Sequence, residues 1–524
     1  MRQTTSFPVL FQSKDDAAFA RRDDLVWVRM LRETDWSRFE RFERHYYLAL
    51  DAYHARGSVR SRVPEVGPEP KRNAQVRTLI NIVERRRAAG MFAEIPVFDP
   101  DQSLPAVSTM LAGPGRPPMD FFSMLRAFLG IISLGWPESP ESVYRELHSN
   151  PMFARLCGFR CSTRADRGTD GLTAKYLPSL SMCEKFDDVM TTSGLWAAMR
   201  LDRVRRNIET GVVPTGTMLV FDTAHTDAYS ACDRIEAEVA PGQTERRNIP
   251  RLHKRCRCPV SEREKCPHPW EPTDRGAAVV VKGPTNIHWA HKASVVGFAD
   301  HDHEIPLDIR VATYAATGDG DTLEPHLREM VDRFPEIVGV VLTVLADGAY
   351  RSEHNQQAVA VLLPGATLHV PAPSHKTPQA VVDRYPGIDK FTPTGVPVCI
   401  DGHRLEMLGR DVIGQLYCWK APDGDDGRPV CADCPSRSGC GRGNHQRRTL
   451  RTRRADFPQI DWDHPQHLDR YRRLIRRRTS VERMIKRIKV DLRGEILTRR
   501  DATRVQAHFD KRLLVLHLLL HDTS

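Results

Sequence analysis

Thr217-Met-Leu-Val-Phe-Asp222 is the stretch from which the fold can be read. Met218 to Phe221 form an unbroken apolar run, with Gly216 before it and Thr223-Ala-His-Thr-Asp227 after it. A short apolar run between breakers is the pattern of a strand covered on both faces. Such a strand would deliver Asp222 at its C-terminal end, rigidly held yet reachable from solvent. A carboxylate placed there can hold a metal, and it can equally cap the element that follows.

Downstream, the pattern is one of further strands. Ile287–Phe298 and Ile305–Thr313 read as a hairpin across the polar turn Asp300-His-Asp-His-Glu304. Ile305, Leu307, Ile309 and Val311 alternate with period two, which predicts one buried face. Asp321-Thr-Leu-Glu324 is a capping-box start for a helix reaching about Phe334. Ile337-Val-Gly-Val-Val-Leu-Thr-Val-Leu345 reads as another buried strand, ending at Ala346-Asp347-Gly348, and Ala366–Val370 as a short fifth strand. Asp347 repeats the logic of Asp222, although Asp347-Gly348 also reads as a plain turn. Adjacent strand ends lie about 5 Å apart, so two such carboxylates can share a divalent cation. Strand, hairpin, helix, buried strand, short strand and a late helix is the order of a ribonuclease-H-like α/β core.

The chain has 524 residues, enough for several cores. It is 40% apolar and 27% charged, with a net charge of +10. Arginines crowd between Arg442 and Arg500, where a polyanion channel is expected. No run approaches the roughly 18 apolar residues of a membrane span, and the N-terminus lacks the apolar core of a signal peptide. Twelve cysteines, several beside histidines, fit a reducing cytoplasm better than a disulfide framework. Upstream of the first strand, Leu25–Leu31 and Trp36–Tyr53 carry helical signals, and Pro-rich linkers lie near Pro64–Arg72 and Pro105–Pro118. Asp120 caps an apolar helix Phe121–Leu134, Ser139-Pro140 starts another, and Ser181 with Glu184 forms a capping box before Lys185–Met190. The block 119–210 reads as a helical DNA-binding domain or a plain helical bundle.

Asp469–Lys489 carries the third carboxylate. On a continuous helix at about 100° per residue, with Arg478 at zero, Glu482 falls near about 40° and Lys489 near about 20°. Val481, Met484, Ile485, Ile488 and Leu492 occupy a separate arc. An apolar face is thus flanked by a stripe of Arg, Glu and Lys, suited to metal binding beside a phosphate backbone and also to an ordinary solvated ion pair. Arg478-x3-Glu482-x6-Lys489 resembles the signature helix of the DDE transposases of bacterial insertion sequences, whose motif is Tyr-x2-Arg-x3-Glu-x6-Lys. Ile475 stands at the tyrosine position. Asp347-Gly-Ala-Tyr-Arg-Ser352 is similar to the segment around that family's second Asp, and Val220-Phe-Asp222 to the first. His291-Lys292 resembles the family's hairpin lysine. Glu141–His148 through Leu156-Cys-Gly-Phe159 looks like the N-terminal helical domain of one branch.

The resemblance spans about residues 119–520. It implies a ribonuclease-H-like catalytic core with an all-helical N-terminal DNA-binding region and an inserted Cys-containing subdomain. The divisions are 1–118, 119–210, 211–371 with a basic Cys/His insertion at about 228–285, 372–466 for the inserted subdomain, and 467–524 for core completion. It implies Mg²⁺ or Mn²⁺, two ions held by Asp222, Asp347 and Glu482, acting on the attacking and leaving oxygens of an in-line displacement. Arg478, Lys489, Lys292, Arg351, Arg447 and Arg448 are the candidate phosphate contacts. Asp227 is the rival ligand to Asp222, and His225 an orienting or DNA-facing residue. Partners would be double-stranded DNA, as element ends and as target, and a second copy of the chain. Location would be the bacterial cytoplasm, on the nucleoid.

Two cysteine groups stand apart. Cys418, Cys431, Cys434 and Cys440, with one CxxC pair, fit structural zinc or reduced, unligated thiols. Cys256, Cys258, Cys266 and His268, with His253 nearby, offer a second, less regular set, and the arginines around both suggest DNA contact. The expected function is a transposase that cleaves at element ends and joins the freed 3′-OH to target. The rival readings are a domesticated DNA-binding protein and a ribonuclease-H-like nuclease without strand transfer.

Overall fold

The computed structural model describes residues 26–60, 95–104, 120–159, 177–229, 232–240, 243–250, 274, 276–281, 287–300, 304–313, 317–371, 376–440, 447–457, 460–461 and 464–520. Among the described residues seven α-helices come first: α1 Val26–Glu33, α2 Glu40–Arg60, α3 Phe121–Ser133, α4 Pro140–Ser149, α5 Pro151–Cys157, α6 Leu180–Thr192 and α7 Leu195–Glu209. Their starts follow from capping chemistry. Asp120 Oδ2 accepts the Ser123 N–H at 2.7 Å, and Ser139 Oγ accepts the Ser142 N–H at 3.1 Å, each satisfying a donor that the first turn leaves without a helical partner. The capping box expected at Ser181 is not where α6 begins. The helix starts at Leu180, and buried Cys183, Phe186, Val189 and Met190 extend its apolar face back past the expected start.

The α/β half is built on one curled, mixed sheet. Its strands are β1 Met218–Asp227, β4 Ala278–Val281, β5 Ile287–Phe298, β6 Pro306–Val311, β7 Thr343–Leu345 and β8 Thr367–His369; β2 Cys232–Ala240 and β3 Gln243–Pro250 form a separate hairpin. The order is β4-β5-β1-β7-β8, with β6 also on β5. β1 runs antiparallel to β5 from Leu219↔Phe298 to Asp227↔Ala290, and parallel to β7. β7 and β8 are parallel as well. The expected β5–β6 hairpin is present. Its second strand, however, is buried on both faces, because Asp308 is covered and neutralised by Arg200 and Arg333 at 2.5 and 2.6 Å.

The apolar run 337–345 is not one strand. Pro335–Ile337 is a 3-10 turn, Gly339 sits at φ 79, and only Thr343–Leu345 joins the sheet. Gly339 supplies the left-handed turn that breaks the run, leaving Val338, Val340 and Leu342 exposed. On one face of β1, α8 (Leu323–Arg333) packs so that the His326 and Phe221 rings meet edge to face, and His326 Nδ1 bonds Ser294 Oγ at 2.8 Å.

After α9 (Glu353–Leu362) and β8, residues 376–461 carry a core of their own around Tyr385, Ile388, Phe391, Tyr417, Trp419 and Phe457. It comprises α10 Gln379–Val382, the pair β9 Ile388–Phe391 with β10 Pro397–Cys399, and a three-stranded meander of β11 Glu406–Asp411, β12 Leu416–Lys420 and β13 Thr449–Arg453. The arginines expected as a basic arm therefore lie partly in a strand: Arg451 and Arg453 are exposed on β13 around buried Thr452.

Three helices close the chain: α11 Asp469–Arg476, α12 Thr479–Lys486 and, after a π-turn at Arg487–Asp491, α13 Ala502–Leu519. α13 is buried almost all round, charges included. Lys511 Nζ lies 2.6 Å from Asp187 and also pairs with Glu138, which Arg512 and His508 contact at 3.2 and 3.1 Å. Arg200 joins Asp510 at 2.8 Å. Gln506 reaches the outer edge of β6, donating to the Ile309 carbonyl at 2.9 Å and accepting the Val311 N–H at 2.7 Å. One hydrophobic core runs from Trp27 to Leu520 through the helices and the sheet.

α12 rests on the other face of β1 and β5, where Gly297 makes room for it. A Cβ at Gly297 would lie 2.6 Å from Met484 Sδ and 2.8 Å from the Ile305 carbonyl oxygen. The thioether can move; the carbonyl cannot. Gly297→Ala should therefore cost about 1–3 kcal/mol by overpacking, read as a lowered denaturation midpoint. A midpoint equal to the parent's would show that the contact is slack.

Candidate active site

Asp222 is not at the end of its strand. β1 continues five residues beyond it to Asp227, paired with β5 throughout. What ends near Asp222 is the other neighbour: the β7 register stops at Val220↔Leu345. Two residues beyond that pair come Asp222 and Asp347, near enough for the Asp347 charge to act on the Asp222 carboxyl. Asp347 begins a 3-10 turn, and its Oδ1 accepts the Ala349 N–H at 2.9 Å, which fixes the carboxylate's rotation.

Glu482 arrives on a helix that is broken rather than continuous. α11 stops at Arg476, and α12 starts at Thr479. The helical wheel holds within α12, where Val481 and Met484 are buried and Glu482 is exposed. It fails for Lys489, which sits in the wider π-turn and donates to the His225 carbonyl at 2.6 Å. Arg478, at the break, reaches both carboxylates. Its Nη1 lies 3.4 Å from Asp222 Oδ2, and its Nη2 donates to Glu482 Oε1 at 2.9 Å. Arg478 thereby ties its neighbour Glu482 to Asp222, 256 positions before Arg478 in the chain.

The electrostatics follow from that crowding. Burial, together with the negative charges of Asp347 and Glu482, pushes the Asp222 carboxyl up to about 6, against the Thr223 N–H and Arg478, which favour ionisation. Arg478 reaches two of the three carboxylates, and Asp347 adds a further negative charge beside Asp222. All-oxygen donors of this kind suit a hard divalent cation such as Mg²⁺. The three side chains therefore fit the ions that the resemblance implies.

A stability test follows, with its sign. The folded-state pKa of Asp222 lies above the usual value of about 3.9, so its contribution is fully present below about pH 4 and is lost as pH rises through about 6. Two units at about 1.4 kcal/mol each give a penalty of about 3 kcal/mol at neutral pH. Asp222→Asn should stabilise the metal-free protein above pH 6 by about 1–3 kcal/mol, the lower figure allowing for lost hydrogen bonds. Mg²⁺ should raise the melting temperature of the parent far more than that of the variant. A variant less stable than its parent from pH 5 to 8 would refute this account of Asp222.

Other expected contacts lie elsewhere. Lys292 is buried on the opposite face, paired with Asp319 at 2.6 Å and bonded to the Thr317 carbonyl. Arg351 holds the Pro371 carbonyl. Asp227 is exposed at the far end of β1, and His225 is half-buried on the face away from Asp222. Asp319 was not foreseen. It receives a Thr223 hydrogen bond and, with Asp222 and Asp347, surrounds buried Tyr350. Its only sequence signal is the polar turn Gly318-Asp-Gly-Asp321.

Arg447 and Arg448 belong to the 376–461 unit. Arg447 pairs with Asp423, and Arg448 bonds the Cys440 carbonyl at 2.7 Å. Cys418, Cys431, Cys434 and Cys440 all line one cleft of about 1040 Å³ with these arginines. Among the described residues, no three of these thiols gather within 4.8 Å of one another. Burial and the Asp401 carboxylate, 3.4 Å away, raise the Cys434 thiol's pKa. Cys256, Cys258, Cys266 and His268 lie outside the described residues. No helix among the described residues is long and apolar enough to cross a membrane. Comparison with protein families, with curated proteins and with solved structures finds no match to this chain.

Proposed function

We propose that the chain is a metal-dependent DNA-processing enzyme of the DDE transposase type, which cleaves at element ends and joins the freed 3′-OH to target DNA. The observation that carries this reading is Arg478 spanning Asp222 and Glu482, with the Asp347 charge acting on Asp222. The strand order adds support. Leaving out β4, the sheet runs β6-β5-β1-β7-β8, antiparallel on one side of β1 and parallel on the other, as in a ribonuclease-H-like core.

Asp222, Asp347 and Glu482 would hold the divalent ions, which supply Lewis acidity at phosphate oxygens when bound. The chain's own part is positional. The Asp347 turn and the β1 backbone fix two carboxylates on the sheet, while α12 brings the third on a separate element. Arg478 can trade a carboxylate for a scissile-phosphate oxygen, a contact its planar donors suit. Lys489 draws the π-turn onto β1 and so sets the distance between helix and sheet.

The test is strand transfer in vitro, with labelled donor DNA carrying the sequences that flank the gene, a target plasmid, and Mg²⁺ or Mn²⁺. Joined product is the expected result. Cleavage without joining would replace the reading with that of a hydrolytic nuclease, and binding alone with that of a DNA-binding protein.

A further inference from the structure

We propose that His369, Asp461 and His464 form a zinc-type site that clips the end of the central sheet to the segment leading into α11. The site is separate from the carboxylate trio and does not depend on the proposed reaction. His369 closes β8, and its Nδ1 lies 3.1 Å from Asp461 Oδ2. His464 Nδ1 lies 3.9 Å from Asp461 Oδ1, and the two imidazoles meet edge to face at 4.8 Å. One ligand atom from each residue can be chosen so that all three lie within 4.8 Å, the group among the described residues gathered that tightly. Tetrahedral zinc with bonds of 2.0–2.1 Å separates its ligand atoms by about 3.3 Å. The spacing is thus within a small rotation of a bound geometry, and the His464 side chain is 43% exposed.

The surroundings hold the other two ligands in place. His369 is buried, with the Tyr471 ring at 5.8 Å, and Tyr471 in turn donates its hydroxyl to the Val370 carbonyl. Asp461 donates its N–H to Gln466 Oε1 at 3.2 Å, and its Oδ1 accepts the His464 N–H at 2.8 Å. Supporting bonds of this kind orient metal ligands and raise affinity. Two imidazoles and a carboxylate select zinc over magnesium, and three protein ligands leave a fourth position for water.

The location gives the site its role. Ile460, next to Asp461, belongs to the core of the 376–461 unit, while His369 belongs to the sheet that carries Asp222 and Asp347. Ligands from distant segments meet only when both are folded, so binding free energy becomes folding free energy for that junction. An ion here would fix where the unit leaves the sheet and where α11 and α12 begin.

The test uses the full chain, stripped with chelator and titrated with Co²⁺ while Mg²⁺ in excess fills the carboxylate trio. One equivalent should bind with tetrahedral ligand-field bands and no sulfur-to-cobalt charge transfer, which separates it from any thiolate site. Zn²⁺ should displace it and raise the melting temperature. Asp461→Asn, which keeps shape and hydrogen bonding, and His464→Ala, at a half-exposed position, should each lose that equivalent. Absence of nitrogen/oxygen-type cobalt in the parent, or its survival in either variant, would overturn the proposal and leave a hydrogen-bonded cluster without an ion.

Discussion

If the chain is the enzyme proposed above, a Glu482→Gln protein will keep its fold and still bind donor DNA, yet lose divalent-dependent cleavage and joining by a factor of about 10³. That factor corresponds to about 4 kcal/mol of barrier at 1.36 kcal/mol per tenfold. The fold should survive because Glu482 is 55% exposed and Gln serves a helix as well as Glu does. Arg478 can still bond the amide oxygen, so the local geometry changes little. What disappears is one of three negative charges facing a cation, and an amide oxygen is a poor replacement for a carboxylate on Mg²⁺. Asp227→Asn is the control, because Asp227 lies at the exposed end of β1, and activity should stay within about twofold. Strand-transfer assays on the two purified variants decide the matter. Full activity in Glu482→Gln, or equal losses in both, would refute the assignment of the third ligand.

Lys511→Met should produce the largest loss of stability, about 3–5 kcal/mol, read as a lowered urea midpoint at unchanged m-value. Lys511 is 2% exposed and holds Glu138, from the loop between α3 and α4, and Asp187 of α6 against α13. Removing the ammonium leaves two buried carboxylates with too little positive charge. Burial would raise the Glu138 carboxyl, but Lys511, His508 and Arg512 hold it well below the carboxylate range. Its stabilising contribution is therefore present above about pH 4.5 and is lost only as strong acid approaches the folded-state pKa. Adding Glu138→Gln to Lys511→Met should recover part of the loss, because the pair then leaves together. Loss below about 1 kcal/mol in the single variant would mean that the cluster is energetically idle.

The parts of the molecule that could be read from sequence are those whose physics is local. Asp120 and Ser139 cap their helices with their own side chains, and the β5–β6 hairpin declares itself through alternation and a polar turn. Asp222 and Asp347 stand out because each follows an apolar run, and Glu482 because it sits on a charged stripe beside an apolar helix face. The failures share a different cause. The run 337–345 is apolar enough for a strand, but pairing with β1 and β8 is available only for its last three residues. Nothing beside His508-Phe-Asp-Lys-Arg512 in the chain reveals that Glu138, Asp187 and Arg200 will neutralise its charges. The break at Arg477–Arg478 has no proline or glycine to announce it.

The central position of α13 has a consequence for the order of events during synthesis. Every element it packs against, from α1 to β6, leaves the ribosome before it does. At roughly 5–20 residues per second, the nascent chain waits on the order of tens of seconds between the completion of β6 and the arrival of Lys511 and Arg512. Throughout that interval Glu138 and Asp187 have yet to meet the charges that α13 brings, and the outer edge of β6 has no Gln506 to close it. The helical half and the sheet must be held apart from wrong partners until the last helix threads between them, which makes this a chain of long-range closure and slow folding. A chaperone that shields the β6 edge and the open groove should matter more to its yield than to its final stability.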